Sequence, residues 1–383
     1  MAIIVRYEPA PAADDDAAGD RHPCTMHVGL RVPPQAPSPR LRRLVERLVA
    51  GGVDSLWWPD HLLSSLSPGL WSGYPSGPVD SELHAFADPF VSIAALAGAL
   101  GDVTVGVGVT DAIRRMPGTL AQAISTLSHV VPGGVILGLG AGEPMNYRPF
   151  GWDVKSPSQT FRDGAVLLRS YLDRSVPDHN GAVLGLRPRP DRPTPQLWLA
   201  AHGAKGLALT GQIADGWTPT MMDVSRWEAA QRIVLSSAVE HGRAPEDIVL
   251  GLAADVVVQD THRAAHQLLD HPAIKLLCLM LPPEAFEKFG VAHPLGQTSL
   301  HDLAATRHGD AIARAARAVP SGLVHEQVIH GDPGDVAGRL REYPGLQHVR
   351  LSDLSGIVSP GGGTERLLAV AASLHQNVSP VER

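Results

Sequence analysis

The 383-residue sequence has little from which to build a covalent or metal framework: its two cysteines, Cys24 and Cys278, lie far apart and without other ligands nearby. Neither a disulfide scaffold nor a cysteine-bound zinc site is expected, and a reducing, cytoplasmic setting fits. Positive charge is also scarce. Lys and Arg total 32 against 39 Asp and Glu, and the lysines are Lys155, Lys205, Lys275 and Lys288 alone. The net charge of -7 leaves no basic surplus for a polyanion, so nucleic acid is not an expected partner. No apolar run reaches the roughly 18 residues of a membrane span, and the first residues lack the basic-then-apolar order of a signal peptide. A soluble, unexported chain is expected. The absence of a G-x-S-x-G elbow and of an activated cysteine removes support for covalent hydrolysis.

What is present is an alternation. Residues 1–22 carry an Asp run among small residues and read as a flexible arm, and 23–383 read as one domain. From "MHVGLRV" onward, β-branched runs alternate with amphipathic segments; in "SPRLRRLVERLVAGG", Leu41, Leu44, Val45, Leu48 and Val49 share a helical face that Gly51 ends. Eight such pairs, the last beginning at "HVRLSDL", predict an α/β fold of the closed (β/α)8 TIM-barrel class. A doubly wound dinucleotide fold would need a glycine fingerprint on its first turn, where "RVPPQAPSP" has none. Two segments exceed plain connections: 62–87 after the second strand and about 276–330 after the seventh, the positions of functional lids or subdomains.

In such a barrel the strand C-termini and their loops share one face, so polar residues there converge. Strand 2 ends in Asp60-His61, strand 3 in Thr110-Asp111, strand 4 in "GLGAGEPMN" with Glu143 and Asn146, strand 5 in "AAHG" with His202, and strand 6 in Trp217-Thr218. One histidine and two carboxylates around a pocket suit proton transfer, and glycines at 138, 140 and 142 admit a planar ligand. Each feature also has a plain reading. Asp60-His61 could cap the next segment, although Trp57 and Trp58 point to a packed setting; Glu143 could be a first-turn acid; "AAHGAKG" could be a phosphate cradle or a turn. His262 and His266 stand four apart on a helix but lack the intervening Glu of a zincin, read as solvated, and no metal site is expected.

Taken together, "LWWPDH", "VGVGVTDAIRRMPGTLAQAISTLSHVV", "GLGAGEPMN" and "LWLAAHGAKGLALTGQIADGW", with "GDPGDVAGRLREY" before the last strand, resemble the bacterial luciferase-like superfamily. The W-x-x-D-H and G-x-G-E runs look like its branch using the deazaflavin coenzyme F420, and "GVGVTDAIRR" looks most like phthiodiolone ketoreductase and its relatives. The resemblance implies that Asp60 binds the polar rim of the ring, His61 acts as acid/base, and Glu143 manages a proton at the ring's pyrimidine edge. It implies a bulge on strand 3 with a non-prolyl cis peptide between Val107 and Gly108 behind the ring. Thr110, Gly140, Ala141, Gly142, Asn146 and Trp217 would contact the cofactor, and Ala200, Ala201, His202 and Gly203 would hold its phosphate through backbone N–H groups.

An F420-dependent oxidoreductase is therefore expected, moving a hydride between the deazaflavin and a ketone or activated double bond of an apolar or secondary-metabolite substrate. The alternatives are an FMN-dependent monooxygenase of the same fold and a barrel that binds a cofactor without catalysis. Relatives imply a homodimer. A carboxylate beside His61 should favour imidazolium. The lack of lysine in "TPTMMDVS" disfavours a sugar phosphate, and Trp71, Tyr74 and Phe86 in the 62–87 loop suit an apolar or aromatic substrate.

Overall fold

Nine parallel strands organise the chain in a computed structural model that describes residues 26–66, 70, 84–173, 184–303, 305–358 and 361–376. They are β1 (His27–Arg31), β2 (Ser55–Trp58), β3 (Thr104–Asp111), β4 (Val135–Gly140), β5 (Gln196–Leu199), β6 (Gly216–Trp217), β7 (Val249–Val258), β8 (Ile329–Gly331) and β9 (His348–Asp353). Each of β1 to β7 pairs with its successor in sequence, and β9 closes the ring between β7 and β1, giving the expected eight-stranded barrel. The extra strand β8 pairs with Val256–Val258, on the edge of β7 that β6 has left free. It returns the long insertion after β7 to the barrel rim. The expected 1–22 arm, and Trp71 and Tyr74 of the 62–87 loop, lie outside the described residues. No helix among the described residues is long and apolar enough to cross a membrane.

The helices form where local chemistry starts them. Ser38 accepts from the Leu41 N–H at 3.2 Å and Pro39, which has no N–H to satisfy, occupies the first turn, so Pro39–Ala50 starts capped and buries Leu41, Val45 and Leu48. Asp88 starts Pro89–Leu96 in the same way, accepting from Phe90 and Val91 N–H groups. The barrel interior is filled by a few large side chains. Trp57 lies 5.5 Å from Trp198 and 5.6 Å from His348 between ring centroids, and Ser55 links Trp57 Nε1 to His348 Nε2 through two 2.8 Å bonds. Trp58 points the other way, into the layer between sheet and helices. Period-2 alternation separates the two tryptophans, and neither forms a wall of the cleft described below.

These rings fit because facing positions carry no side chain. A Cβ on Gly106 would stand 2.3 Å from Trp57, and one on Gly216 2.5 Å from Trp198. Gly106→Ala is therefore expected to overpack the interior and cost about 1–3 kcal/mol, read as a lower unfolding midpoint in urea. An unchanged midpoint would contradict this packing account.

Candidate active site

The C-terminal ends of the strands open into a cleft of about 760 Å³. Asp60, His61, Thr110, Gly140, Ala141, Gly142, Glu143, Asn146, Ala200 and His202 all line it, so strand ends up to 142 residues apart in sequence do converge. Five further residues expected at the cofactor do not line it. Val107 is core, Gly108 faces the barrel interior against Arg350 and Trp57, and Ala201 and Gly203 lie off the surface of the cleft. Trp217 is fully buried, stacked 4.7 Å from Trp227, and donates to the Ala201 carbonyl at 2.9 Å; it fixes the β5 loop from behind. The Ala200 N–H is committed to the Leu139 carbonyl and is not free to hold a phosphate.

The bulge on β3 is present, its register slipping between Val107 and Thr110, and the cis peptide joins Gly108 to Val109 instead of Val107 to Gly108. Val109 lines the cleft. Gly138 serves this bulge and not a ligand, since a Cβ there would meet the Val107 carbonyl at 2.7 Å and Val109 at 2.8 Å. Gly142, at φ 80, turns the chain after β4 in a conformation that favours glycine and brings Glu143 into the cleft.

The Asp60 carboxylate accepts four hydrogen bonds. Arg115 grips both of its oxygens, at 2.7 and 3.1 Å, Arg114 adds a 3.3 Å contact, and the Thr110 hydroxyl donates at 2.6 Å. Burial pushes the Asp60 carboxyl up, but the two guanidiniums and Thr110 outweigh it and hold the group below its ordinary value. The arginines are aimed by their own loop. Asp111 accepts from the Ile113 and Arg114 N–H groups, a turn that ends β3, and from Arg114 Nε at 2.6 Å. Arg115 reaches on to Asp88 at 2.7 Å, tying the site to the cap of Pro89–Leu96. The arginines of "DAIRR" have no role in the sequence pattern alone; two carboxylates at strand ends beside two arginines are the signal that points to one.

His61, Glu143 and Asn146 form a second array. The Asn146 side-chain oxygen accepts from the Leu62 and Leu63 N–H groups at 2.7 and 2.9 Å, which fixes the amide's orientation. Its NH₂ therefore faces Glu143 Oε2 at 2.9 Å and His61 Nδ1 at 3.2 Å. An amide hydrogen on Nδ1 requires a lone pair there, so this network assigns neutral His61 its proton on Nε2. Protonated His61 would instead direct Nδ1–H at Glu143 Oε2, 3.4 Å away. Burial in the cleft, with Arg31 and Arg114 against Glu143 and Asp60, pushes the imidazole below its ordinary value. The expected imidazolium at neutral pH is thus corrected: desolvation and two arginines outweigh the carboxylates.

His301, from the insertion after β7, approaches the other Glu143 oxygen at 3.3 Å. Burial would raise the Glu143 carboxyl, yet His61, His301 and Arg114 bring it down to about 2. Burial would lower His301, and the hydrogen bond and charge of Glu143 raise it instead. His301 was missed in the sequence because its short turn, Leu300–Asp302, has neither periodicity nor a strand end to mark it. Its contribution to holding the insertion is full below 6.5, its ordinary value, and lost as pH rises through the raised one; that of Glu143 is present above 4.5 and lost as pH falls toward about 2. Proteolysis within 299–303 should therefore accelerate above neutral pH, and a Glu143→Gln variant should be cut readily even at mildly acidic pH. Equal resistance of the two proteins would contradict the contact.

Leu279, Met280 and Leu281 of the same insertion supply an apolar wall, and Phe86 lies 5.5 Å from the His61 ring. The cleft thus joins charged and titratable side chains to a side suited to apolar surface.

Known proteins share this arrangement of the chain. The phthiodiolone/phenolphthiodiolone dimycocerosates ketoreductase of Mycobacterium tuberculosis is 30% identical over 354 residues, covering 87% of this chain and 91% of its own. Among solved structures, an F420-dependent secondary alcohol dehydrogenase in complex with an F420–acetone adduct superposes with a TM-score of 0.67 at 18% identity, covering 90% of this chain and 99% of its own. The FMN-bound oxygenating constituent of 3,6-diketocamphane monooxygenase from Pseudomonas putida superposes with a TM-score of 0.60 at 16% identity, covering 92% and 98%. At such identities these two likenesses establish the barrel and not its chemistry. The luciferase-like monooxygenase family model matches residues 22–347, and the chain belongs to that family.

Proposed function

We propose that this protein is an F420-dependent oxidoreductase that reduces a ketone, or an activated double bond, of an apolar substrate. The observation that carries this reading is the Asn146-held pair of His61 and Glu143 in the cleft, which apolar residues of the insertion also line. The 30% identical relative bears the name of a ketoreductase, and a structural neighbour holds an F420–acetone adduct. Both facts favour carbonyl chemistry.

The residues present fit a deazaflavin. The cleft has the size of a cofactor-plus-ligand site, Gly140 leaves room for Val109, whose side chain a Cβ there would meet at 3.0 Å, and Val109 offers an apolar platform on the bulge. When bound, the deazaflavin supplies or accepts the hydride. Gly140, Ala141, Gly142 and Val109 would face the ring, and His202 with the start of Ala204–Ile213 would lie toward its phosphate-bearing side chain. Asp60 is assigned a positioning role, because Thr110, Arg114 and Arg115 occupy the four lone-pair directions of its carboxylate.

Carbonyl reduction needs a proton for the oxygen, and protonated His61 supplies it from Nε2 while Glu143 accepts from Nδ1–H on the opposite edge of the ring. Glu143 stays ionised across the working range, so it orients and stabilises the imidazolium instead of donating. Because His61 is displaced below its ordinary value, the acid form is a minority at neutral pH. With reduced F420 and a series of apolar ketones, kcat/KM should rise on acidification from neutral pH, by about tenfold per pH unit until His61 is protonated. The reverse oxidation should show the opposite slope. A pH-independent reduction would remove His61 from the proton's path, and no turnover with any ketone or activated double bond would sink the reading.

The second reading is an FMN-dependent monooxygenase, favoured by the FMN-bound neighbour of the same fold. It predicts tight binding of reduced FMN and oxygen-dependent product formation.

A further inference from the structure

Away from the cleft, three histidines meet where the insertion after β7 leaves and rejoins the barrel. We propose that His262, His266 and His330 form a site for a first-row transition metal of the zinc type. One candidate ligand atom from each lies within 4.8 Å of the others. His266 Nδ1 and His330 Nε2 stand 3.3 Å apart, the spacing that two nitrogens about 2.0–2.1 Å from zinc take up at a tetrahedral angle. Imidazole is a favoured ligand for zinc, copper, nickel and cobalt, and His262 and His266 share a face of His262–Leu268 at i, i+4 spacing.

The surroundings are arranged for this chemistry. His330 Nδ1 lies 2.9 Å from the Val328 carbonyl, which keeps a proton on that nitrogen and leaves Nε2 with its lone pair. His262 Nδ1 lies 3.0 Å from Asp335 Oδ2, a carboxylate–histidine pair that frees its other nitrogen in the same way. Such partners are the usual supports of metal-bound imidazoles. Asp335 is itself placed by the capping box of Pro333–Leu340, and a side chain at 331 would come 2.5 Å from its carboxylate, so Gly331 makes room for it. A fourth histidine completes the cluster: the His325 ring is 4.2 Å from that of His266, and its Nε2 is buried without a hydrogen-bond partner among the described residues. His325 or a water would take the fourth position.

None of these residues lines the cleft, so the metal is assigned a structural role. It clips the entry of the insertion, at His262–Leu268, to its exit on β8, and the insertion carries Leu279 and His301 to the active site. The pair His262 and His266, read as solvated from the sequence, lacked the third ligand, which lies 64 residues beyond His266.

The test is a zinc titration of the full chain after chelator treatment, followed by calorimetry and by melting, with Co²⁺ as a spectroscopic probe. One Zn²⁺ per chain is expected, with a zinc-dependent rise in melting temperature and the intense visible bands of four-coordinate Co²⁺. His330→Ala and His262→Gln should weaken zinc at least tenfold and abolish both signals, Asp335→Asn should weaken it about 10–100-fold, and His129→Ala on a distant helix should change nothing. Absence of zinc uptake would overturn the site. So would uptake that survives His330→Ala and His262→Gln unaltered, since that metal would be elsewhere, as at the cleft's His61, Glu143 and His301.

Discussion

His61→Ala is expected to lower kcat/KM for reduction of a ketone by reduced F420 by about 10²–10⁴-fold, the usual contribution of a placed general acid. The loss should fall in kcat, because His61 serves the developing charge on the substrate oxygen and not the holding of the cofactor. F420 binding, measured by fluorescence, should change little. The pH slope of the wild type should vanish in the variant, which separates a lost proton donor from a merely disturbed cleft. Glu143→Gln should act on the same step more weakly, since it removes the partner of the imidazolium while leaving the ring in place. A His61→Ala protein with undiminished turnover would end the assignment.

The second large effect concerns stability. Asp60→Asn keeps the volume of the side chain and removes the charge that Arg114 and Arg115 share, in a setting where Asp60 and Arg114 side chains are only 2% and 5% exposed. Removing one partner of a buried ion network costs about 3–5 kcal/mol. The lower end of that range is expected, because Arg114 keeps Asp111 and Arg115 keeps Asp88. A fall of about 3 kcal/mol in unfolding free energy should appear as an earlier urea transition, with reduced activity because the Asp60–His61 loop is no longer held. A change under about 1 kcal/mol would indicate that the arginines find sufficient compensation from their other carboxylates.

How much was legible beforehand follows from the physics of each element. The barrel was readable because eight β-branched runs each preceded an amphipathic segment, and strand ends converge by topology whatever their sequence separation. That argument alone placed Asp60, His61, Thr110, Glu143, Asn146 and His202 on one cleft. Orientation was less accessible. Trp57 and Trp58 are equally apolar and both faces of β2 are buried, so composition could not say which entered the barrel. The bulge moved the cis bond by one position and exchanged Val107 for Val109 at the surface, an effect of local register with no compositional signature. The direction of the His61 shift depended first on burial in the cleft and then on Arg31 and Arg114, which only the folded arrangement supplies. Contributions from the insertion, His301 above all, lay where sequence periodicity says nothing.

The central claim is the identity of the cofactor, and a parallel titration of the purified chain with F420 and with FMN tests it most directly. Quenching of F420 fluorescence at micromolar concentration, competed by no excess of FMN, is the result this account requires. Micromolar binding of FMN with none of F420 would contradict it and return the protein to the oxygen-using side of its family.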